Sequence, residues 1–251
     1  MQLELAGKAA LVTGASRGIG RAIAQTLHAE GCRVALNARN EDDLARAAAD
    51  LAGAVTVSGD VSRPEEAQRI AATASARLGG LDVLICNVGS GRSVPPGSES
   101  FAEWQRVFAI NLWSATNMVE ASRAALAASR GAIVCMSSIC GVEVVPGAPV
   151  TYSAAKAALQ AYVRGIAHPL GKQGIRINAV APGNVLFEGG VWARKLADDA
   201  AAVRTMIERD VTLGRLGTPR EIADLVAYLA SPRAAFATGA TWTLDGGQVH
   251  S

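Results

Sequence analysis

Two patterns of apolar and polar positions alternate along the chain. Short runs with a continuous apolar centre, such as residues 8–13 and 131–136, are followed by longer segments in which apolar side chains recur three and four residues apart. The first pattern predicts strands covered on both faces, and the second predicts helices that bury one face. Further strands are predicted at residues 33–38, 54–57, 81–86, 175–181 and 241–244.

Helices are predicted between these strands, among them residues 41–51, 64–78, 101–129 and 219–230. Regular alternation of strand and helix predicts a parallel sheet. We therefore expect a doubly wound parallel α/β sheet of three layers, α/β/α, in a single domain of residues 1–251. The irregular segment at about 183–217 is expected to form a lid over the carboxyl edge of the sheet. The helix predicted at 101–129 has the spacing of a core-facing side at Phe101, Trp104, Val107 and Phe108, and we expect these side chains to be buried.

Composition excludes several classes of function. The chain has 251 residues, half of them apolar, which is ample for one sizeable core. Lys and Arg number 24 against 22 Asp and Glu, without a basic run, so no nucleic acid is expected as a partner. No apolar segment is long enough to span a bilayer, and the four cysteines have no metal-like spacing. We expect a cytoplasmic protein without membrane anchor or metal.

The stretch from Cys135 to Lys156 carries the candidate chemistry. Tyr152 and Lys156 are four residues apart on a predicted helix and therefore share a face. A positive neighbour favours the phenolate, so the pKa of Tyr152 is expected to fall below its usual value near 10. Ser138, at the end of the preceding strand, would supply a second hydroxyl to one substrate oxygen, while strand alternation points Ser137 to the other side. Taken alone, the pair fits a packed Tyr and a solvated Lys better than a catalytic pair.

A second candidate site lies between the first strand and the first helix. Gly14, Gly18 and Gly20 stand where a tight turn and a helix amino terminus accept a pyrophosphate. The second predicted strand ends at Ala38 and is followed by Arg39, with no carboxylate to receive a ribose 2′-hydroxyl. Arg39 and Arg17 favour a phosphate there, because Arg pairs with phosphate in a bidentate fork. The sequence therefore favours NADP(H) over NAD(H).

A series of short motifs runs along the whole chain. In order they are TGASRGIG at 13–20, NVG at 87–89, Asn111, Ser138 with Tyr152 and Lys156, PG at 182–183 and LDGG at 244–247. This series resembles the motifs of the short-chain dehydrogenase/reductase (SDR) family. The resemblance covers essentially the whole chain, and several motifs in the family's order are more specific than any one alone. It implies a Rossmann fold, a homotetramer, and hydride transfer between NADP(H) and a small-molecule carbonyl or alcohol.

The resemblance also implies a role for each matching residue. Tyr152 would be the acid/base, Ser138 the carbonyl-orienting donor, Lys156 a pKa modifier and ribose ligand, and Asn111 the anchor of a proton-relay water at a helix kink. The residues that would bind the cofactor are Gly14, Ser16, Arg17, Gly18, Ile19, Gly20, Arg39, Asp60, Val61, Asn87, Gly89, Tyr152, Lys156, Pro182, Gly183 and Val185. Phe187 departs from the family, which usually has Thr at that position.

Several of these residues, and the function of the chain, have alternative interpretations. Asp60 and Ser62 are also typical turn and cap residues, with Ser62 expected to cap the helix that starts at Pro64, and Asn111 could satisfy backbone inside a helix. A non-catalytic dinucleotide-binding sensor or scaffold would explain the glycine turn but has no need of an acid. Among enzymes, the chain is similar to 3-oxoacyl-carrier-protein reductases, which makes a 3-oxoacyl thioester the first substrate to consider. A sugar, polyol or steroid-like carbonyl is the alternative.

Overall fold

The computed structural model describes residues 2–250. Its centre is a seven-stranded sheet in the order β3-β2-β1-β4-β5-β6-β7, in which every neighbouring pair is parallel. The strands are β1 Ala9–Thr13, β2 Arg33–Ala38, β3 Val55–Ser58, β4 Val83–Cys86, β5 Ala132–Met136, β6 Arg176–Pro182 and β7 Thr241–Leu244. The chain builds β1 to β3 outward in one direction and then crosses back to place β4 beside β1, so the predicted doubly wound sheet is confirmed.

Helices cover both faces of this sheet. They are α1 Gly18–Ala29, α2 Glu41–Ala48, α3 Pro64–Leu78, α4 Phe101–Phe108, α5 Ser114–Ser129, α6 Val150–Gly171, α7 Val191–Asp198, α8 Ala200–Asp210 and α9 Pro219–Ala230. Successive residues of β1 show why residues 9–12 are all apolar, since Leu11 packs in one buried cluster and Val12 in the other. The first cluster includes side chains of α3, α5 and α6, and the second includes side chains of α1, α2 and α9. The three-layer prediction is confirmed.

The long helix predicted at 101–129 is interrupted. A π-helical turn, Ala109–Trp113, separates α4 from α5 and contains Asn111. Such single π-turns are frequent at functional sites. The core-facing prediction is wrong for Phe101, which is 77% exposed because the first turn of α4 extends beyond the packed layer, whereas Val107 is buried.

The predicted lid segment, residues 183–217, has more regular structure than the sequence indicated. It contains α7 and α8, and a parallel bridge between Val185 and Gly217 ties its two ends together. The amide of Leu186 donates to the carbonyl of Gly217 at 2.9 Å, and the amide of Gly217 donates to the carbonyl of Asn184 at 2.9 Å. The lid segment is therefore a closed loop anchored beside the carboxyl end of β6.

Candidate active site

The predicted site residues follow the carboxyl ends of six adjacent strands. The glycine turn follows β1, Arg39 follows β2, Asp60 and Val61 follow β3, Asn87 and Gly89 follow β4, Ser138 follows β5, and Gly183 and Val185 follow β6, whose last residue is Pro182. Because all strands are parallel, these positions share one edge of the sheet. Ligands in open α/β sheets bind at this edge, where the strand order reverses.

Tyr152 and Lys156 lie on α6 beside the end of β5. Lys156 is only 2% exposed, and its Nζ donates a hydrogen bond of 2.8 Å to the carbonyl oxygen of Met136. The same Nζ lies 5.8 Å from the centroid of the Tyr152 ring. The two side chains therefore share one face of α6, as their spacing predicts.

The predicted direction of the Tyr152 pKa shift is wrong for this structure. Burial raises the pKa of Tyr152 to about 12, and a hydrogen bond with Ser138 opposes that rise. Burial also lowers the pKa of Lys156 from 10.5 to about 8. Desolvation of the phenolate wins because Lys156 directs its ammonium to the Met136 carbonyl rather than to the phenol.

Ser138 and Ser137 have separate surroundings, as strand alternation predicts. The Ser138 hydroxyl accepts a hydrogen bond of 3.2 Å from the amide of Cys140 and also forms a hydrogen bond with Tyr152, which lowers the pKa of that phenol. The Ser137 hydroxyl donates to the carbonyl of Lys156 at 3.2 Å and accepts from Nε2 of Gln160 at 3.0 Å. Ser137 therefore joins β5 to α6, and Ser138 is the serine whose hydroxyl meets Tyr152.

Asn111 holds the loop that carries Gly89. Its Nδ2 donates to the carbonyls of Val107 and Ser90, each at 3.0 Å, and its Oδ1 accepts from the amide of Ser90 at 2.9 Å. A Cβ added at Gly89 would lie 2.9 Å from Nζ of Lys156 and 3.0 Å from Oδ1 of Asn111. Gly89 is thus wedged between two predicted catalytic residues, where a larger residue would displace one of them.

The glycine turn is closed by Asn87. Gly14 has a φ of 63°, and Nδ2 of Asn87 donates to the carbonyls of Thr13 and Gly14 at 3.0 and 3.1 Å. A Cβ added at Gly20 would come within 2.3 Å of the Gly14 carbonyl oxygen and 2.4 Å of Nδ2 of Asn87. These glycines therefore permit close backbone approach, as the dinucleotide pattern requires.

The amino terminus of α1 has no side-chain cap. Arg17 occupies the N-cap position without a capping hydrogen bond, so the first-turn amides have no partner from a capping side chain. Ser16 precedes Arg17, and Ile19 follows it by two positions. Both side chains are partly buried. Gly18 has a φ of 55°, and a Cβ there would lie 2.6 Å from the ring of Phe187, which therefore packs directly on the turn.

Asp60 makes a turn at the end of β3. Its Oδ1 accepts from the amide and hydroxyl of Ser62 at 3.0 and 2.7 Å. The prediction that Ser62 caps α3 is wrong, because its hydroxyl bonds to Asp60 and the N-cap residue is Arg63. Val61 is 2% exposed and packs in the core, which leaves little of its surface for the adenine ring of a cofactor to contact.

The last predicted cofactor residues are tied to the carboxyl-terminal segment. Pro182 pairs with Leu244 of β7, and the amide of Gly183 donates to the carbonyl of Leu244 at 3.1 Å. A Cβ at Gly183 would lie 2.3 Å from Oε1 of Gln248. Val185 is buried. The backbone from Pro182 to Val185 is consequently well fixed at the mouth of the lid segment.

Two polar contacts near the site were not predicted. Gln160 is buried and bonds to the serine pair, a position that helical spacing from Tyr152 and Lys156 could have indicated. Ser93 lies within 2.6 Å of the Thr151 hydroxyl and donates to Glu103 at 2.7 Å, which pins the loop after β4 to α4 and α6. No sequence pattern joins those three positions, because the contact depends on how the helices pack.

Residues 2–250 contain neither a candidate metal-binding cluster nor a candidate membrane-spanning helix. Within that range no group of three or more His, Cys, Asp or Glu side chains is arranged to hold a metal ion. No helix in the same range has the length and apolar character needed to cross a membrane. All four cysteines are free thiols, three of them buried.

Comparison with known proteins identifies the class. Residues 14–249 match the family model described as enoyl-(acyl carrier protein) reductase. The 3-oxoacyl-(acyl-carrier-protein) reductase FabG of Escherichia coli (strain K12) is 37% identical over 248 residues, covering 98% of each chain. L-sorbose reductase from Gluconobacter frateurii, complexed with NADPH and L-sorbose, aligns with a TM-score of 0.93 at 28% identity over 100% of both chains.

A steroid-metabolising enzyme has the same fold. The 7α-hydroxysteroid dehydrogenase complexed with NADH and 7-oxo glycochenodeoxycholic acid aligns with a TM-score of 0.91 at 27% identity, covering 100% of this chain and 97% of the other. The sheet topology and these relatives define a Rossmann-type oxidoreductase acting on carbonyl or CH–OH groups. The chain belongs to the short-chain dehydrogenases/reductases.

Proposed function

We propose that this chain catalyses reversible hydride transfer between NADP(H) and a small carbonyl compound or secondary alcohol. The observation that carries the proposal is the convergence of Ser138, Tyr152, Lys156 and Asn111 beside the glycine turn, at one edge of a parallel sheet. A pure dinucleotide sensor has no need of a half-buried phenol beside a buried ammonium at that point. Burial of the Lys156 ammonium costs folding free energy, and a role in the reaction would explain why that cost is retained.

The residues at this edge fit a dinucleotide. The cradle between Gly14 and Gly20 has no room for a Cβ, and the first amides of α1 lack a capping side chain. Both features suit a pyrophosphate at a helix amino terminus. When bound, the nicotinamide cofactor supplies or accepts the hydride. The residues that would hold it are those of the turn (14–20), Arg39, Asp60, Val61, Asn87, Gly89, Tyr152, Lys156, Pro182, Gly183 and Val185.

Preference for NADP(H) over NAD(H) rests on charge at the end of β2. Ala38 ends that strand, and Arg39 is exposed. Neither Arg39 nor Arg17 forms an ion pair within residues 2–250, so both guanidiniums remain available to a 2′-phosphate. The bound NADPH of L-sorbose reductase supports this choice, whereas the bound NADH of the steroid dehydrogenase represents the alternative.

Tyr152 is proposed as the acid that protonates the substrate oxygen during reduction. With a pKa raised to about 12 by burial, it carries its proton at neutral pH, and transfer is favourable because the incipient alkoxide is a stronger base than the phenolate. Ser138 would donate a second hydrogen bond to the same oxygen, since its hydroxyl lies within hydrogen-bond reach of the Tyr152 phenol. Positioned proton transfer contributes about 10² to 10⁴-fold to rate. Lys156 provides positive charge beside the developing alkoxide.

A 3-oxoacyl thioester is the first substrate we propose, because of the 37% identity to the E. coli reductase. Val144 and Leu186 are exposed near the loop after Ser138 and in the lid segment, and they would offer an apolar mouth to an acyl chain. A sugar carbonyl is the second candidate, supported by the TM-score of 0.93 with L-sorbose reductase.

Assembly and location are also proposed. Phe101 on α4 is 77% exposed and Trp113 in the π-turn 42% exposed, and burial of these side chains against other copies of the chain would support a homotetramer. Light scattering of the purified protein tests this directly. We further propose a cytoplasmic location, because its four cysteines are unpaired.

The test of the proposed function is a panel of NADPH- and NADH-oxidation assays. Acetoacetyl thioester, L-sorbose and a 7-oxo steroid are supplied as separate substrates with each cofactor. We expect turnover with NADPH to exceed that with NADH, and the thioester to give the highest kcat/KM. NADPH binding without turnover on any carbonyl would support the sensor instead, and inactivity on the thioester alone would transfer the proposal to another substrate class.

A further inference from the structure

Gln160 makes a buried connection between α6 and the end of β5. It is 5% exposed and lies one helical turn beyond Lys156, on the same face. Its Nε2 donates to the Ser137 hydroxyl at 3.0 Å and to the carbonyl oxygen of Ser138 at 3.2 Å. The Ser137 hydroxyl in turn donates to the carbonyl of Lys156 at 3.2 Å.

The backbone after Ser138 lies directly on α6 and needs this connection. A Cβ added at Gly141 would come within 2.6 Å of the carbonyl carbon of Lys156 and 2.9 Å of Nε2 of Gln160. The short 3₁₀ turn Ile139–Gly141 therefore presses against the helix at Gln160. Because a glutamine amide has two N–H donors, Gln160 can satisfy both acceptors at once.

We propose that Gln160 is a positioning residue for Ser138. Its amide fixes the Ser138 carbonyl and, through Ser137, the backbone of Lys156. These two anchor points set where the Ser138 hydroxyl lies relative to Tyr152 on the same helix. The inference rests on the proposed function, since it concerns how that reaction's two hydroxyls are aligned.

The effect of losing this amide follows from its two acceptors. Without Nε2, the buried carbonyl of Ser138 loses a donor, and the 3₁₀ turn can shift away from α6. Misplacement of a reacting group by about 1 Å costs on the order of 10²-fold in rate. Within residues 2–250 the side-chain hydrogen bonds of Gln160 go to Ser137 and Ser138 and none goes to the glycine turn, so cofactor affinity should change little.

The main test is Gln160→Met, which keeps the length of the side chain and removes the donor. We expect kcat to fall about 10- to 100-fold, while the Kd for NADPH, measured by fluorescence without substrate, stays within about twofold. Gln173→Met is the matched control. Gln173 also bridges two groups, accepting from Arg123 at 3.0 Å and donating to Pro169 at 3.2 Å, but lies after the end of α6 away from the site. It should leave kcat unchanged.

A double-mutant cycle separates positioning from a structural role. In the Ser138→Ala background the hydroxyl is gone, so Gln160→Met should lower the residual kcat by less than about threefold. An equal loss in both backgrounds, or an unchanged kcat in the single variant, overturns the inference. A fall in NADPH affinity or in folded fraction that accounts for the whole effect also overturns it. A wild-type enzyme that binds NADPH but turns over no carbonyl overturns the proposed function, and this inference with it.

Discussion

Replacing Lys156 by Met should change how the stability of the protein depends on pH. The Lys156 ammonium is 2% exposed, bonds to the Met136 carbonyl and has no carboxylate partner within residues 2–250. Burial lowers its pKa from 10.5 to about 8. The folded protein therefore releases this proton at a lower pH than the unfolded chain does.

The sign and size follow from proton linkage. Between about pH 8 and 10.5 the unfolded state binds more protons at this site than the folded state, so the free energy of unfolding rises with pH. At 1.36 kcal/mol for each pH unit, the full gain is about 3 kcal/mol. Below pH 8 both states are protonated, and the site contributes no further pH dependence.

Urea denaturation of wild type and Lys156→Met tests this at fixed protein concentration, since oligomerisation affects apparent stability. Groups common to both proteins cancel in the difference, including Tyr152, whose raised pKa lowers stability as pH rises above 10. We expect the unfolding free energy of wild type minus that of the variant to be flat from pH 6 to 7.5 and to rise by about 3 kcal/mol toward pH 10.5. A difference that stays flat, or falls, would refute the account of a desolvated ammonium.

Three further substitutions test the site. Gly89→Ala places a Cβ 2.9 Å from Nζ of Lys156 and should displace that ammonium. We expect kcat in steady-state assays to fall about 10- to 100-fold. Full activity would contradict the close packing of Gly89 against Lys156. Arg39→Asp should raise the KM for NADPH about 10- to 100-fold and leave that for NADH unchanged, because a charged hydrogen bond is lost, and equal effects on both cofactors would exclude a phosphate contact. Phe187→Ala removes the ring that packs on Gly18. It should speed tryptic cleavage in the lid segment about tenfold. An unchanged cleavage rate would show that the ring does not hold the lid segment against the glycine turn.

The sequence predicted the sheet well because its signal is local. Residues 9–12 and 132–136 are apolar at every position since both faces of each strand are covered, and the spacing of Tyr152 and Lys156 shows directly which face of α6 they share. The choice of Ser138 over Ser137 also followed from alternation and agrees with their hydrogen bonds.

Other properties depend on tertiary packing and could not be predicted. The pKa of Tyr152 shifts upward because desolvation outweighs the charge of a lysine bonded elsewhere, and burial depth is invisible in a sequence motif. The contact between Ser93 and Thr151 joins residues 58 positions apart. Phe101 has the spacing of a core residue, but that spacing does not show where a helix leaves the packed layer.

Replacing Tyr152 by Phe tests whether the Tyr152 phenol donates the proton in a carbonyl reduction. The variant removes one hydroxyl from a site otherwise held by Lys156, Asn111 and the glycine turn. Single-turnover reduction and fluorescence titration with NADPH are measured on the same preparation. We predict a rate lower by about 10² to 10⁴-fold with nearly unchanged NADPH affinity. Wild-type turnover in the variant would contradict the assignment of Tyr152 as the acid.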